Sequence, residues 1–439
     1  MMDFLKWAIA VTGACVVSAS GQAVKVLAIG DSLTEEYRFE TVFSGPTSNP
    51  VDSNTKNWVE LLAENRRADL TFGSYEANLL SYPDFRDAGY KYNYGVPGFT
   101  TENWIDVIQS SFFDTLSGDA YAIGCYATKT ALVRHLEDDG IGVVVILLGG
   151  NDLKSDYDGI FNDDQPPALL TEAVQNIRTI YQFVRSENSS VPVVICTFPD
   201  IGATPEVSEK YTEPDLRVRA RQRIADANAS LMATATSLGA EVARIDSVTA
   251  RVFDEVPFYL NGTLMTYEPD PENAPDRLFC HDGFHPATIG QALIANQIVD
   301  AINRALGTTV EPFANRVILG DLLGLDPDQP YLDWAGSAGA MDANPDGDAS
   351  PNLVEYMLGS EPLMPDSPFI FGADGELSFL TLEDRFRFAS LQVLESETLG
   401  DDWQPVPENR IQIDASGRWQ IEPSGDAKNF YRLQVVPNP

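Results

Sequence analysis

Histidine and cysteine are scarce in this chain, with three and four copies among 439 residues. No two cysteines form a Cys-x-x-Cys pair, which excludes a cysteine zinc site of the usual spacing. Beyond Cys15 only Cys125, Cys196 and Cys280 remain, an odd set that allows at most one bridge. Stability must therefore come from a packed core, for which a 44% hydrophobic content is ample. Cations are also few: 29 Lys and Arg stand against 65 Asp and Glu, a net charge of −36. No basic stripe is present, so nucleic acid is excluded as a partner, because phosphate binding needs clustered cations. The same acidity repels anionic membranes and polyanionic substrates. No stretch is long and apolar enough to span a bilayer, and no internal repeat is present.

The longest early apolar run, residues 7–17, comes after Lys6 and precedes the small residues Ser20-Gly21-Gln22-Ala23. This is the pattern of an export signal cut near Ala23. Residues 1–23 are expected to be a signal peptide and the protein to be periplasmic, cell-surface or extracellular.

Beyond residue 23 the chain alternates between two periodicities. Residues 24–29 form a short apolar strand ending in Gly30-Asp31-Ser32-Leu33. Residues 143–148 are apolar without alternation, the mark of a strand buried on both faces of a parallel sheet, and residues 191–198 and 241–245 read as further strands. Between them helical spacing predicts helices over residues 57–68, 101–113, 120–138, 169–185 and 215–238, with a last one from Pro286 to about residue 306. Alternating strands and helices imply right-handed βαβ units, hence an α/β fold with helices on both faces of a parallel sheet over residues 24–307. Residues 308–365 are rich in Asp, Gly and Pro and read as a linker. Residues 366–439 show short strands with turn signals, a small antiparallel β module.

Ser32 sits at the carboxyl end of the first strand, where open α/β sheets place ligands. Two readings are open for it: a helix cap or a nucleophile. A nucleophilic serine needs a base to take its proton and a carboxylate to orient that base. Asp282 and His285, three apart before the last helix, supply that pair. The alternatives are a plain turn with a helix cap, or a metal pair of His281 and His285, which Gly283 and Pro286 oppose by breaking the helix such a pair would need. Donors for a developing oxyanion are available in the Ser32 and Gly98 N–H groups and in the Asn151 amide. The alternative for Gly149-Gly150-Asn151-Asp152 is a turn. His135, inside a helix, reads as a surface or packing residue.

These residues occur in a recognisable order. Gly30-Asp31-Ser32-Leu33, Gly98 within Val96-Pro97-Gly98-Phe99-Thr100, Gly149-Gly150-Asn151-Asp152 and Asp282-Gly283-Phe284-His285 resemble the four corresponding blocks of the GDSL, or SGNH, hydrolases. The resemblance spans residues 24–307. It implies a three-layer flavodoxin-like fold and an esterase or lipase activity. It also implies roles: Ser32 as nucleophile, His285 as base, Asp282 as its partner, and Ser32, Gly98 and Asn151 as oxyanion donors. No cofactor is expected for catalysis. The absence of a Gly-x-Ser-x-Gly elbow argues against the α/β-hydrolase fold.

The segments 35–97 and 251–280 exceed the family pattern and carry Tyr82, Tyr94, Phe258, Tyr259 and Tyr267. They are read either as faces for a sugar ring or as packing for their own loops. The expected substrate is a small-molecule or polysaccharide ester, short-chain or acetyl, with a lipase or thioesterase as the near alternative. A non-catalytic carbohydrate binder on the same scaffold is the alternative from another class. In the tail, Asp342, Asn344, Asp346 and Asp348 alternate around Gly347 in a pattern similar to EF-hand and dockerin calcium loops. Position twelve of that pattern is Leu353, and Glu355 lies two residues further on. Either calcium or a solvated turn fits this stretch. The terminal module, with Trp403, Trp419, Phe430 and Tyr431, resembles accessory modules of secreted bacterial proteins, for which glycan contact, cell-surface attachment or simple stabilisation is the expected role.

Overall fold

A computed structural model describes residues 22–39, 55–78, 80–255, 257–269, 274–372, 375–400, 402–424 and 430–439. The expected export signal and its cleavage site fall almost wholly outside the described residues.

Residues 24–243 build one parallel sheet. Its strands are β1 (Val24–Gly30), β2 (Leu70–Thr71), β3 (Asn93–Gly95), β4 (Val143–Leu147), β5 (Val193–Cys196) and β6 (Glu241–Ala243). They lie in the order β2-β1-β4-β5-β6, all parallel, with β3 pairing on β1 beyond β2. Strand β2 covers Val24 and Lys25, while β3 covers Ala28 to Gly30, so two short strands share one edge of β1. This is the flavodoxin-like order, whose switch point lies between β1 and β4.

Side-chain alternation sorts the core into two layers. Leu27, Ile29, Val144, Ile146 and Ile195 face helices α2 (Thr101–Gln109), α3 (Ala120–Asp138), α4 (Leu169–Glu187) and α5 (Pro214–Leu238). Val26, Ala28, Val145, Leu147 and Val194 face α1 (Trp58–Asn65), α6 (Ile245–Asp254) and α7 (Thr288–Leu306). Trp104 anchors the first layer and Trp58 the second, both fully buried; burial of a side chain of that size contributes about 1.5–3 kcal/mol or more. The expected three-layer parallel fold is therefore what forms. Cys125 is buried in the first layer, Cys196 in the second and Cys280 beside Tyr37 and Ala287, and no disulfide joins these three.

Two stretches differ from the sequence expectation. Residues 308–365, read as a linker, are structured: Val310, Phe313, Ile318 and Leu319 are buried in the second layer. Their apolar side chains are too sparse among Asp, Gly and Pro to show a period. Segment 251–280 is not purely loop: α6 runs through Asp254, and Phe258–Leu260 and Thr263–Met265 form a hairpin.

The tail holds two antiparallel sheets. One runs Ile370–Phe371, Leu377–Leu380, Arg418–Ile421, Ile411–Ile413 in spatial order. In the other, Ala389–Ser396 pairs with Gln404–Pro405 and with Phe430–Pro437. Helix α8 (Asn352–Leu358) serves two small cores, with Leu353, Tyr356 and Met357 in one and Val354 and Leu358 in the other. Trp419 stacks on Phe379 at 5.7 Å and is buried rather than displayed. Among the described residues no helix is long and apolar enough to cross a membrane.

Candidate active site

Strand β1 delivers Ser32 to the switch point. The chain turns sharply after Gly30: Thr34 N–H and Glu35 N–H both donate to Asp31 O, and Leu33 N–H donates to the Asp31 side chain at 2.9 Å. A side chain at Gly30 would sit 2.2 Å from Thr34 Oγ1, so the turn requires glycine there. Ser32 Oγ lies 2.7 Å from His285 Nε2. His285 Nδ1 lies 2.5 Å from Asp282 Oδ2. The three side chains form one hydrogen-bonded line, although 253 residues separate Ser32 from His285.

The Asp282 carboxylate also organises its own turn. Its Oδ1 accepts from the N–H groups of Phe284 and His285 at 3.0 and 3.1 Å. Burial pushes this carboxyl up, but the His285 hydrogen bond, the His285 charge and those two N–H groups together hold it below the usual carboxylate range. It is thus ionised wherever a neutral His285 is needed. Both ring nitrogens of His285 are engaged, which leaves it none for a metal. His281 lies on the exposed side of the turn.

Gly98 and Asn151 arrive from two other strand ends. Gly98 comes after β3 in a turn closed by Phe99 N–H to Val96 O, with φ of +77° and nothing within 4 Å of the place a side chain would take. Asn151 opens a short helix, Gly150–Ser155, just past β4. Gly149 begins it at φ +111°, where a Cβ would lie 2.1 Å from the Phe198 ring. Asn151 Nδ2 donates to Phe99 O at 3.0 Å, and its second hydrogen remains for another acceptor. Neither the Ser32 nor the Gly98 N–H has an acceptor among the described residues.

Several supports escaped the sequence reading. Asp152 accepts from Thr101 N–H and Oγ1 at 2.9 and 2.5 Å, which ties the Gly98 turn to the Asn151 helix. Its place directly after Asn151 was the available signal. The Tyr37 ring meets His285 edge-on at 6.2 Å, and Gln291 Nε2 donates to the Tyr37 hydroxyl at 2.6 Å. Glu60 fixes Tyr37 in turn: its carboxylate accepts from Tyr37 N–H, Asn57 N–H and Arg38 Nε. No motif spacing reveals these contacts, because loop closure creates them.

The aromatic residues weighed as a sugar platform each contact other parts of the protein, Tyr94 and Phe258 buried and Tyr82, Tyr259 and Tyr267 half-buried. Tyr94 is fully buried and its hydroxyl meets His135 Nδ1 at 2.7 Å. Burial and then the Arg86 charge push His135 down to about 4, so it is a neutral packing residue. Phe258 is 3% exposed, Tyr82 lies under Arg86, Tyr259 under Arg387, and the Tyr267 hydroxyl donates to Ala203 O. What adjoins Ser32 is an apolar crevice of about 60 Å³, lined by Leu33, Asn151, Ile201, Val248, Phe279 and Leu293 among others.

A parallel α/β domain with a serine, a histidine and a carboxylate in line at the carboxyl end of its strands, flanked by N–H donors, has the parts that acyl transfer requires. The sequence agrees: residues 26–298 match the family model of the GDSL-like lipase/acylhydrolases. The chain belongs to that family and is a hydrolase of ester bonds. Comparison with curated proteins finds no match. Among solved structures the chain is similar to LAE5, an α/β hydrolase enzyme from the metagenome of Lake Arreo, at 15% identity and a TM-score of 0.35, covering 66% of this chain and 100% of that one. It is also similar to Axe2, an acetylxylan esterase from Geobacillus stearothermophilus, at 15% identity and a TM-score of 0.35 over 64% and 95% of the two chains. A Clostridium thermocellum family 3 carbohydrate esterase gives 14% identity and a TM-score of 0.33 over 66% and 100%.

Proposed function

We propose that the protein is an exported serine esterase for short acyl groups, acting through an acyl-enzyme on Ser32. The observation that carries this reading is the unbroken line from Ser32 Oγ through His285 to Asp282. Ser32 Oγ attacks the ester carbonyl while His285 Nε2 takes its proton; Asp282 holds the ring so that Nε2 faces the serine and steadies the imidazolium. The N–H groups of Ser32 and Gly98 and the free hydrogen of the Asn151 amide bind the oxyanion. The protonated His285 gives its proton to the leaving alkoxide. Water, deprotonated by His285, then attacks the acyl-enzyme carbonyl and releases the acid and Ser32. These steps call on no metal or cofactor.

The crevice beside Ser32 supports a short acyl chain, because it is lined almost wholly by apolar side chains and opens at the serine. Acetyl esters, including those on carbohydrate, are the substrates we assign to it. The pattern of residues 1–23 supports export, where acetylated polysaccharide is met. Replacing Ser32 with Ala tests the reading: hydrolysis of p-nitrophenyl acetate is lost, labelling by a fluorophosphonate probe is lost, and the folded circular dichroism spectrum stays. Substantial residual turnover in folded protein refutes it. Acetylated xylan, acetylated pectin and p-nitrophenyl esters of rising chain length then rank the substrates.

A further inference from the structure

A second cluster lies in the tail, unused by the ester chemistry. Carboxylate oxygens of Asp346, Asp348 and Glu355 all lie within 4.8 Å of one another. Surface acids gather often without consequence, but Glu355 is not a surface acid. It is 0% exposed, and neither of its carboxylate oxygens has a hydrogen-bond partner. Asp346 Oδ2 is buried and unpartnered as well. A buried carboxylate without donors is among the costliest arrangements a fold can hold, and neighbouring like charges add to it. A cation at the point where the three converge removes both penalties.

The surrounding chain is shaped to keep them there. Gly347, at φ +77°, lets the loop turn back. Asn344 Oδ1 accepts from Gly347 N–H, and its Nδ2 donates to Asp348 O. The Asp348 carboxylate accepts from Ser350 and Asp366 N–H groups. Asn352 N–H donates to Ala343 O, and its Nδ2 donates to Ala338 O and Ala340 O just before the loop, which pins the start of α8 to it.

We propose that Asp346, Asp348 and Glu355 bind one calcium ion that fastens loop 342–350 to α8, the helix shared by the two small cores of the tail. The donors are all oxygen, with no histidine or cysteine in the group, which selects a hard cation. Calcium accepts irregular coordination completed by carbonyls and water, whereas magnesium demands a near-ideal octahedron. The ligand set differs from the one that alternate spacing suggests. Asp342 is outside the cluster, the Asn344 side chain is spent on shaping the loop, and Glu355 closes the site two residues beyond the usual position.

The full-length chain, stripped with EDTA, is titrated with calcium chloride up to about 10 mM, which spans the affinities of extracellular calcium modules. Calorimetry should show binding near one ion per chain, with a rise in Tm. Glu355→Gln and Asp346→Asn should each weaken binding at least tenfold. In EDTA, Glu355→Gln should melt at or above the wild type, since it removes the unpartnered charge; a merely structural glutamate would melt lower. Asp346→Asn, in a less buried position, serves if the first variant fails to fold. The proposal is overturned by absence of heat and of a Tm shift in the wild type, by variants that bind as the wild type does, or by tighter binding of magnesium than of calcium.

Discussion

Replacing Asp282 with Asn separates the chemical role of this carboxylate from its role in the turn. Asn keeps an oxygen where Oδ1 accepts from the Phe284 and His285 N–H groups, so the turn and the backbone of His285 survive. At Oδ2, however, it presents an N–H₂ group to His285 Nδ1. Nδ1 must then accept, the ring proton moves to Nε2, and Nε2 faces Ser32 Oγ as a donor instead of a base. In serine proteases the same exchange lowers turnover about 10⁴-fold, which is roughly 5.5 kcal/mol of barrier at about 1.36 kcal/mol per tenfold. The Asp282 side chain is 23% exposed here. Water can therefore replace part of its role, and a loss of roughly 10²–10⁴-fold in kcat is expected, with KM little changed. The assay is p-nitrophenyl acetate hydrolysis with thermal melts in parallel. A folded variant with kcat within threefold of the wild type refutes the role given to Asp282. Stability carries a second sign. The carboxyl is held below its usual range in the fold, so its contribution is present at neutral pH and is lost as pH falls through the lowered value. The gap in Tm between the wild type and Asp282→Asn should therefore narrow in acid.

Three further outcomes rest on the same geometry. Asn151→Ala should lower kcat about a hundredfold with the fold intact, as loss of an oxyanion donor does elsewhere; unchanged kcat removes Asn151 from that role. Val248→Phe, on the wall of the crevice, should spare acetate and cut kcat/KM for butyrate by about tenfold or more, since one methylene in a tight pocket is worth about 1–3 kcal/mol; equal losses on both esters would disprove the acyl assignment. Asp31 is buried, and burial pushes its carboxyl up to about 7, with the Asp152 charge adding to the rise. Its ionisation therefore opposes folding increasingly from about pH 4 to 7, by a few kcal/mol at most at about 1.36 kcal/mol per unit. Asp31→Asn keeps an acceptor for Leu33 N–H, so its Tm relative to the wild type should rise between pH 5 and pH 8. Glu36 and Asp200 are raised into the same window by burial, so the wild type itself should lose stability across it, and only the difference between the two proteins isolates Asp31.

Much of the fold is legible in local pattern. The run 143–148 signals burial on both faces by lacking alternation, and it forms β4. The helix read over residues 120–138 spans just those residues. Strand β3 escapes such reading, because three residues, Asn93–Gly95, are too few to show a period. The site divides in the same way. Ser32, Gly98, Asn151 and the Asp282/His285 pair each sit next to a strand end or helix start, and those positions come from local pattern. The meeting of Ser32 with His285, the Tyr37 edge against the imidazole and the Asp152 tie to Thr101 all come from segments far apart in the chain.

The sequence by itself determined the alternation of strand and helix, the order of the chemical blocks and the acidity of the surface. Each of these depends on neighbours within a turn or two, where side-chain period and backbone preference decide. Only the tertiary structure decided that Tyr94 and Phe258 turn inward, that the space beside Ser32 is an apolar crevice, and that Glu355 rather than Leu353 faces Asp346 and Asp348. Those outcomes depend on how long loops close over the sheet, and closure is set by packing between distant segments that no local period records.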